Sequence, residues 1–256
     1  MRLTTIGTGT AAPHPYRVCA GHLLEARDVR LLLDCGSGVV HRMASFGINW
    51  GAITHIALTH FDADHISDLA TMFIAWRYGQ LPSRRAPVTV LGPVGTRGVI
   101  ERLAAALWER LLTDPGYPVR IQELAADEDC ELGPGVRLAT RKVPHTPESI
   151  AYAVTSGGRR LVYTGDTAYD VGLAEWARRC DVLLCECSLP ATLAVATHLT
   201  PEQCGALAKL AQPKLLVLTH FYPPVEWMDI RAVVAGEYSG MIVLATDGWH
   251  YEIEGS

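Results

Sequence analysis

His60-Phe61-Asp62-Ala63-Asp64-His65 follows directly on the apolar run Ile53-Thr54-His55-Ile56-Ala57-Leu58-Thr59, so six residues hold two imidazoles and two carboxylates. The position is where a buried strand should end and a helix begin. Alternate side chains at a strand end project to one side, so His60 and Asp62 can converge on one spot. The turn into the next helix can carry Asp64 and His65 to a second spot nearby. Carboxylates packed together repel and lose water, so a cation is the natural partner for the group. The plainer alternative is a polar strand-to-helix turn with Asp64 as a helix cap.

The same pattern recurs along the chain: an apolar strand stops and a metal-competent residue follows. It is seen in Arg30-Leu31-Leu32-Leu33-Asp34, in Lys142-Val143-Pro144-His145, in Leu161-Val162-Tyr163-Thr164-Gly165-Asp166 and in Leu215-Leu216-Val217-Leu218-Thr219-His220. Loops at strand ends are free of core packing and gather ligands. A lone histidine of this kind is more often a cap or a satisfied core residue. Five strand ends in register reverse that balance. Imidazoles and carboxylates suit zinc, manganese or iron, and no thiolate is placed for a structural zinc.

At 256 residues the chain can bury a substantial core, and its 49% hydrophobic and 19% charged composition is that of an ordinary globular protein. No apolar run reaches the length of a membrane span. The start, Met1-Arg2-Leu3-Thr4-Thr5-Ile6, enters a strand rather than a signal peptide. The seven cysteines include no Cys-x-x-Cys pair, which predicts reduced thiols and a cytoplasmic location. A formal net charge of −5 argues against a surface that coats nucleic acid.

Strands are predicted at 2–6, 22–26, 30–34, 55–59, 88–91, 120–124, 136–143, 150–155, 160–163, 182–186, 215–219, 241–246 and 249–253. Each is short, β-branched or aliphatic, and bounded by Gly, Pro or Asp. Helices are predicted at 38–46, 66–77, 95–112, 172–179, 201–211 and 225–237. Thr200, Pro201 and Gln203 mark one start as a capping box. No linker divides the chain, so one domain over 1–256 is expected. The many strands and early hairpins predict two mixed sheets packed face to face with helices outside.

With Asp34, His60-Phe61-Asp62-Ala63-Asp64-His65, His145, Asp166 and His220 in this order, the chain resembles the metallo-β-lactamase superfamily. Within it, the chain is most similar to the ribonuclease Z and small phosphodiesterase branch. Gly7-Thr8-Gly9-Thr10-Ala11-Ala12-Pro13, Asp64-His65-Ile66-Ser67-Asp68-Leu69, Leu91-Gly92-Pro93-Val94-Gly95, Tyr163-Thr164-Gly165-Asp166-Thr167, Leu184-Cys185-Glu186-Cys187 and His198-Leu199-Thr200 carry that likeness. The resemblance implies a four-layer αββα sandwich with a two-metal site at one edge. It places His60, Asp62 and His145 on the first metal, Asp64, His65 and His220 on the second, and Asp166 between them. Asp34 would sit beneath and orient ligands. Glu186 would orient His198, which would serve the leaving oxygen, and Asp64 joins these two in the implied catalytic set. The implied cofactors are two divalent ions, zinc first, with manganese or iron as alternatives. Such a pair can hold a hydroxide as nucleophile. A homodimer is also implied.

Two departures narrow the expectation. Asp62 stands where the family usually carries a second histidine. Three carboxylates then face two divalent ions and leave a formal +1, which weakens activation of water and favours harder metals. The alternative is a weak or empty first site. Second, Ile150–Thr155 and Arg160–Tyr163 are joined by only Ser156-Gly157-Gly158-Arg159, with no room for the long basic arm of tRNA-processing relatives. A phosphodiesterase acting on a small or cyclic diester is therefore the expected activity, nucleic acid an unlikely partner, and tRNA 3′-processing the lesser option. Hydrolysis of a carboxylic, thio- or sulfate ester is the alternative, and a catalytically silent binding module the non-enzymatic one. Aromatic and basic residues at Trp76, Arg77, Tyr78 and Arg84, with Tyr222 and Trp227, are candidates to line the substrate pocket, core packing being the competing role.

Overall fold

The computed structural model describes residues 1–254. Among these residues, fourteen strands form two sheets of seven. The first sheet contains β1 (Arg2–Gly7), β2 (Gly21–Ala26), β3 (Val29–Leu33), β4 (His55–Ala57), β5 (Val88–Pro93), β6 (Val119–Leu124) and β14 (His250–Glu252). Its order is β14-β1-β2-β3-β4-β5-β6. The second contains β7 (Asp129–Gly133), β8 (Val136–Lys142), β9 (Ile150–Ser156), β10 (Arg159–Tyr163), β11 (Val182–Glu186), β12 (Leu215–Thr219) and β13 (Met241–Leu244), in the order β13-β12-β11-β10-β9-β8-β7. The sheets repeat one plan. Strands β1 to β3 pair antiparallel and β3 to β6 parallel. Likewise β7 to β10 pair antiparallel and β10 to β13 parallel.

Both faces of each sheet are covered, which is why the strands read as unbroken apolar runs rather than alternating ones. Along β3, Leu31 and Leu33 point into the layer between the sheets and Leu32 points outward. Along β11, Val182 and Leu184 face the centre while Leu183 and Cys185 face the outer helices. Helices α1 (Val39–Ser45), α3 (Leu69–Tyr78) and α4 (Thr96–Leu107) cover the first sheet with Met43, Phe73, Trp76 and Ile100. The short α2 (Ala63–Ile66) precedes α3. Helices α5 (Val171–Trp176), α6 (Pro201–Ala211) and α7 (Ile230–Glu237) cover the second sheet with Leu173, Leu207, Ala208 and Val234. This is the αββα sandwich expected. All seven cysteines are free thiols. No helix among the described residues is long and apolar enough to cross a membrane.

Local sequence explains the element ends. Thr200 accepts from Gln203 N while Gln203 Oε1 accepts from Thr200 N, the reciprocal box predicted at the start of α6. Gly157 and Gly158, at φ 56° and 74°, make the two-residue turn between β9 and β10. The helices predicted at 66–77, 95–112 and 225–237 each divide or shorten, with 3₁₀ turns at Glu109–Leu111 and Pro223–Trp227. Strand β7 was not anticipated. It lies at a sheet edge with Leu132 as its one buried side chain, so its acidic residues face solvent and leave no apolar signature.

Candidate metal centre

The predicted strand ends meet at one edge of the sandwich. The antiparallel and parallel pairings bring the ends of β3, β4, β10, β11 and β12 to the same side. Asp34 follows β3, His60 follows β4, Asp166 follows β10 and His220 follows β12. Sharp turns make this possible. Asp34 and His220 have φ of 58° and 60°, and Gly165, just before Asp166, has 56°. A β-carbon at Gly165 would also meet Thr59 Cβ at 2.7 Å, so that position requires glycine. Left-handed backbone at a non-glycine residue such as His220 costs on the order of 1 kcal/mol, and strain of this kind concentrates at functional sites.

Seven side chains converge there in two groups. His145 Nε2 and His60 Nε2 lie 3.2 and 3.5 Å from Asp62 Oδ2. His220 Nε2 lies 3.3 Å from Asp64 Oδ2 and 3.4 Å from His65 Nε2. Asp166 stands between, with Oδ2 3.8 and 3.9 Å from His60 and His145, and Oδ1 3.3 and 3.4 Å from His65 and His220. Three of the triads, His60–Asp62–His145, His60–His65–Asp166 and Asp64–His65–His220, are each compact enough to hold a metal ion. All but Asp62 and His145 are buried.

The hydrogen-bond network assigns the tautomers. His65 Nδ1 donates to Asp34 Oδ2 at 2.8 Å, and His145 Nδ1 to the Thr197 carbonyl at 3.0 Å. His60 Nδ1 lies 2.9 Å from Thr59 Oγ1, whose own proton goes to Asp34 Oδ2 at 2.9 Å. His220 Nδ1 lies 3.0 Å from Ser188 Oγ, which in turn donates to Glu186 Oε2. In all four rings Nδ1 is thus the donor, and Nε2 presents a lone pair to carboxylates and to a neighbouring Nε2. Acceptors face acceptors. Buried His60 Nε2 and Asp166 Oδ1 form no hydrogen bond at all. Such a cluster is balanced by cations, so the residues fit a pair of divalent metals. The same field acts on protons. Burial opposes charge on His65, yet in metal-free protein Asp166 and Asp34 hold its pKa well above the ordinary value, so a proton takes the Nε2 position that a cation would otherwise occupy. The neighbouring imidazoles of His60 and, after it, His145 hold Asp62 well below the usual carboxylate range.

Asp34 and Glu186 play matching parts. Asp34 accepts from Thr59 N, Thr59 Oγ1, His65 Nδ1 and, across the sheets, Tyr163 Oη at 2.8 Å. Glu186 accepts from Thr167 N at 2.5 Å, His198 Nδ1 at 3.1 Å and Leu199 N at 3.2 Å, besides Ser188. Each carboxylate orients one histidine directly and a second through a hydroxyl. Burial pulls the His198 pKa down, but the bond to Glu186 and the charges of Glu186, Asp166 and Asp64 push it up to about 9. With Nδ1 committed to Glu186, His198 Nε2 has no hydrogen-bond partner among the described residues. Tyr222 packs beside it, its ring 6.1 Å from that of His198 and 6.0 Å from that of His220. Burial and the surrounding carboxylates push the Tyr222 hydroxyl up to about 12.

The pocket expectation needs correction. Trp76 is fully buried in the outer core against Phe73 and Tyr117, and its Nε1 donates to the Trp50 carbonyl. Arg84 lies over the Trp76 ring and donates to the carbonyls of Gly51, Ile53, Ala86 and Pro87. The reason is topological. Strands β4 and β5 run parallel, so the chain after His65 must return along α3 to the start of β5, the edge opposite the metal ligands. Arg77 and Tyr78 end that helix and share the far edge, while Trp227 is 85% exposed. Of the six, Tyr222 alone stands at the cluster. Sequence reasoning missed Thr59, Ser188 and the Thr167 amide. Ser188, two residues beyond Glu186 at the end of a strand, was within reach of the two-residue period.

His22 on β2 packs edge-on to Tyr163 at 5.1 Å, fully buried, and neither ring nitrogen has a partner. Burial pushes its pKa down to about 3. Above pH 6.5 it is neutral in both folded and unfolded chains. Below that the unfolded chain takes up a proton that the folded one refuses until about pH 3, so stability falls as pH falls. At pH 5 this amounts to about 2 kcal/mol. In urea unfolding of metal-free protein, His22→Phe should lose about that much less than the parent between pH 7.5 and 5.0. Parallel losses would show that His22 is already charged or paired in the fold.

Comparison with known proteins agrees with this architecture. Residues 29–221 match the model of the beta-lactamase superfamily domain. A ribonuclease Z from Mycobacterium bovis is 29% identical, over 99% of this chain and 98% of its own length. Among solved structures, the metallo-beta-lactamase fold protein YhfI from Bacillus subtilis superposes with a TM-score of 0.82 at 22% identity, covering 98% of each chain. The short form of human tRNase Z superposes with a TM-score of 0.80 at 24% identity, covering 99% of this chain and 100% of that one. Relatives bearing the ribonuclease Z name do not support the expectation that nucleic acid is an unlikely partner.

Proposed function

From the premise that the chain belongs to the metallo-β-lactamase superfamily and is a metal-dependent hydrolase, we propose that it is a phosphodiesterase acting on a small or cyclic phosphate diester. The observation that carries this reading is the Glu186–His198 pair, 3.1 Å apart beside the seven-residue cluster, with His198 Nε2 left free. His60, Asp62 and His145 would hold one divalent ion, Asp64, His65 and His220 the other, and Asp166 both. Zinc is the first choice, and Asp62 leaves manganese or iron as alternatives. Bound there, two cations would supply polarisation of phosphoryl oxygens and activation of water.

The chain's own residues supply the rest. Asp34 and Thr59 hold His65 and His60 so that their lone pairs point into the cluster. Glu186 fixes His198 Nδ1, and the proton on Nε2 is the one available to an alkoxide or phenoxide leaving oxygen. An acid at that position matters most for a phosphate diester, whose leaving oxygen departs poorly unless protonated.

Ribonuclease action is the second reading, favoured by a relative of that name along the whole chain. Against it stand the net charge of −5 and the two-residue turn between β9 and β10. Phosphate contacts dominate nucleic-acid affinity, and an acidic protein makes few of them. One panel tests both: bis-p-nitrophenyl phosphate, cyclic nucleotides, a 3′-extended tRNA, lactones, thioesters and aryl sulfates, each with zinc, manganese or iron. Turnover of small diesters should exceed that of every other class. Turnover confined to carboxylic esters, or to the tRNA, would sink the proposal.

A further inference from the structure

Ser188 touches both halves of the proposed machinery and is fully buried. Its Oγ is hydrogen-bonded to Glu186 Oε2, lies 3.0 Å from His220 Nδ1 and 3.5 Å from His198 Nδ1, and is 3.2 Å from the His220 carbonyl. A hydroxyl has one proton to give. A carboxylate can only accept, so that proton is drawn to Glu186, and the oxygen lone pair accepts from His220 Nδ1. The polarity runs one way, from His220 through Ser188 to Glu186, and His198 donates to the same carboxylate.

We propose that Ser188 is a positioning residue that couples the ligand His220 to the Glu186–His198 pair. By accepting from His220 Nδ1 it fixes the tautomer that turns Nε2 toward the cluster. By donating to Glu186 it fixes the carboxylate that holds His198. Thr59 does the first of these for His60, but its carboxylate, Asp34, carries no acid partner of its own. The remaining donors to Glu186 are the Thr167 and Leu199 amides and His198 itself. Among the described residues, Ser188 is therefore the one side chain that joins His220 to Glu186. Backbone bonds from Cys187 N to Thr219 O at 2.8 Å and from Tyr222 N to Ser188 O at 3.2 Å hold the same strand ends together whatever side chain stands at 188.

The inference rests on the proposed roles of His220 and His198, and its test separates the two. Wild type, Ser188→Ala and Ser188→Thr would be stripped and titrated with zinc against a chromophoric chelator, with thermal melting as a check on folding. Outer partners of ligand histidines typically change metal affinity by about 10- to 100-fold. Ser188→Ala should weaken one of the two ions by that factor, and Ser188→Thr should restore it. The second readout is the kcat ratio between substrates with good and poor leaving groups, taken in whichever ester class the wild type hydrolyses. Ser188→Ala should lose more on the poor leaving group, and Ser188→Thr should recover. Wild-type metal affinity in the alanine variant overturns the proposal, as does an unchanged leaving-group ratio or failure of threonine to rescue. A wild type that binds two ions but hydrolyses no phosphodiester overturns the functional reading and leaves the Ser188 measurement intact.

Discussion

Asp166→Asn should leave the protein with about one tightly held divalent ion instead of two and lower its turnover by about 10³-fold, the equivalent of some 4 kcal/mol of lost charge stabilisation. The substitution keeps volume and shape but changes two things together. Oδ1 and Oδ2 of Asp166 face different histidine pairs, His65 with His220 and His60 with His145. An amide presents an oxygen to one pair and N–H donors to the other. Its donors would satisfy a pair of bare Nε2 lone pairs, the atoms a cation needs. The charge changes as well: two carboxylates instead of three then face two divalent ions, so the second ion meets more repulsion. Metal analysis after dialysis, set beside turnover of bis-p-nitrophenyl phosphate, measures both effects. Two ions retained per chain at near wild-type turnover would mean that Asp166 does not bridge.

How far the sequence reached can be seen from particular residues. Buried parallel strands such as Leu215–Thr219 are legible because both faces are apolar and the run ends abruptly on a polar residue. That abruptness also exposed Asp34, His60, Asp166 and His220, since nothing in core packing asks for them. Strand β7 was invisible for the opposite reason, an edge strand of acidic residues with little to bury. Trp76 and Arg84 were misread because composition alone makes an aromatic–basic stretch look like a pocket. Counting the parallel crossover from β4 to β5 would have placed them at the far edge. The hydroxyls of Thr59 and Ser188 were harder to see. Their roles depend on which imidazole nitrogen carries the proton, and that is decided by distances of about 3 Å between segments far apart in the chain.

His198→Ala should lower turnover of a phosphodiester with a poor leaving group by about 10²- to 10⁴-fold while leaving metal content unchanged, the range for a positioned acid. His198 is not among the seven clustered ligands, and its Nδ1 is spent on Glu186. Its loss therefore removes a proton donor and leaves the cluster's lone pairs and carboxylates in place. The effect should shrink as the leaving group improves. A nitrophenolate departs with little help, whereas an alkoxide departs almost only as the alcohol. Plotting rate against leaving-group pKa for parent and variant should give a steeper slope in the variant, because charge on the departing oxygen is no longer neutralised. This measurement also divides the two enzymatic readings. Carboxylic and thioesters usually lose their leaving groups from a tetrahedral intermediate already formed, so an acid beside that oxygen matters less to them. A variant with equal slopes and an equal loss on every substrate would make His198 a binding group, and the case for diester chemistry resting on the Glu186–His198 pair would fall with it.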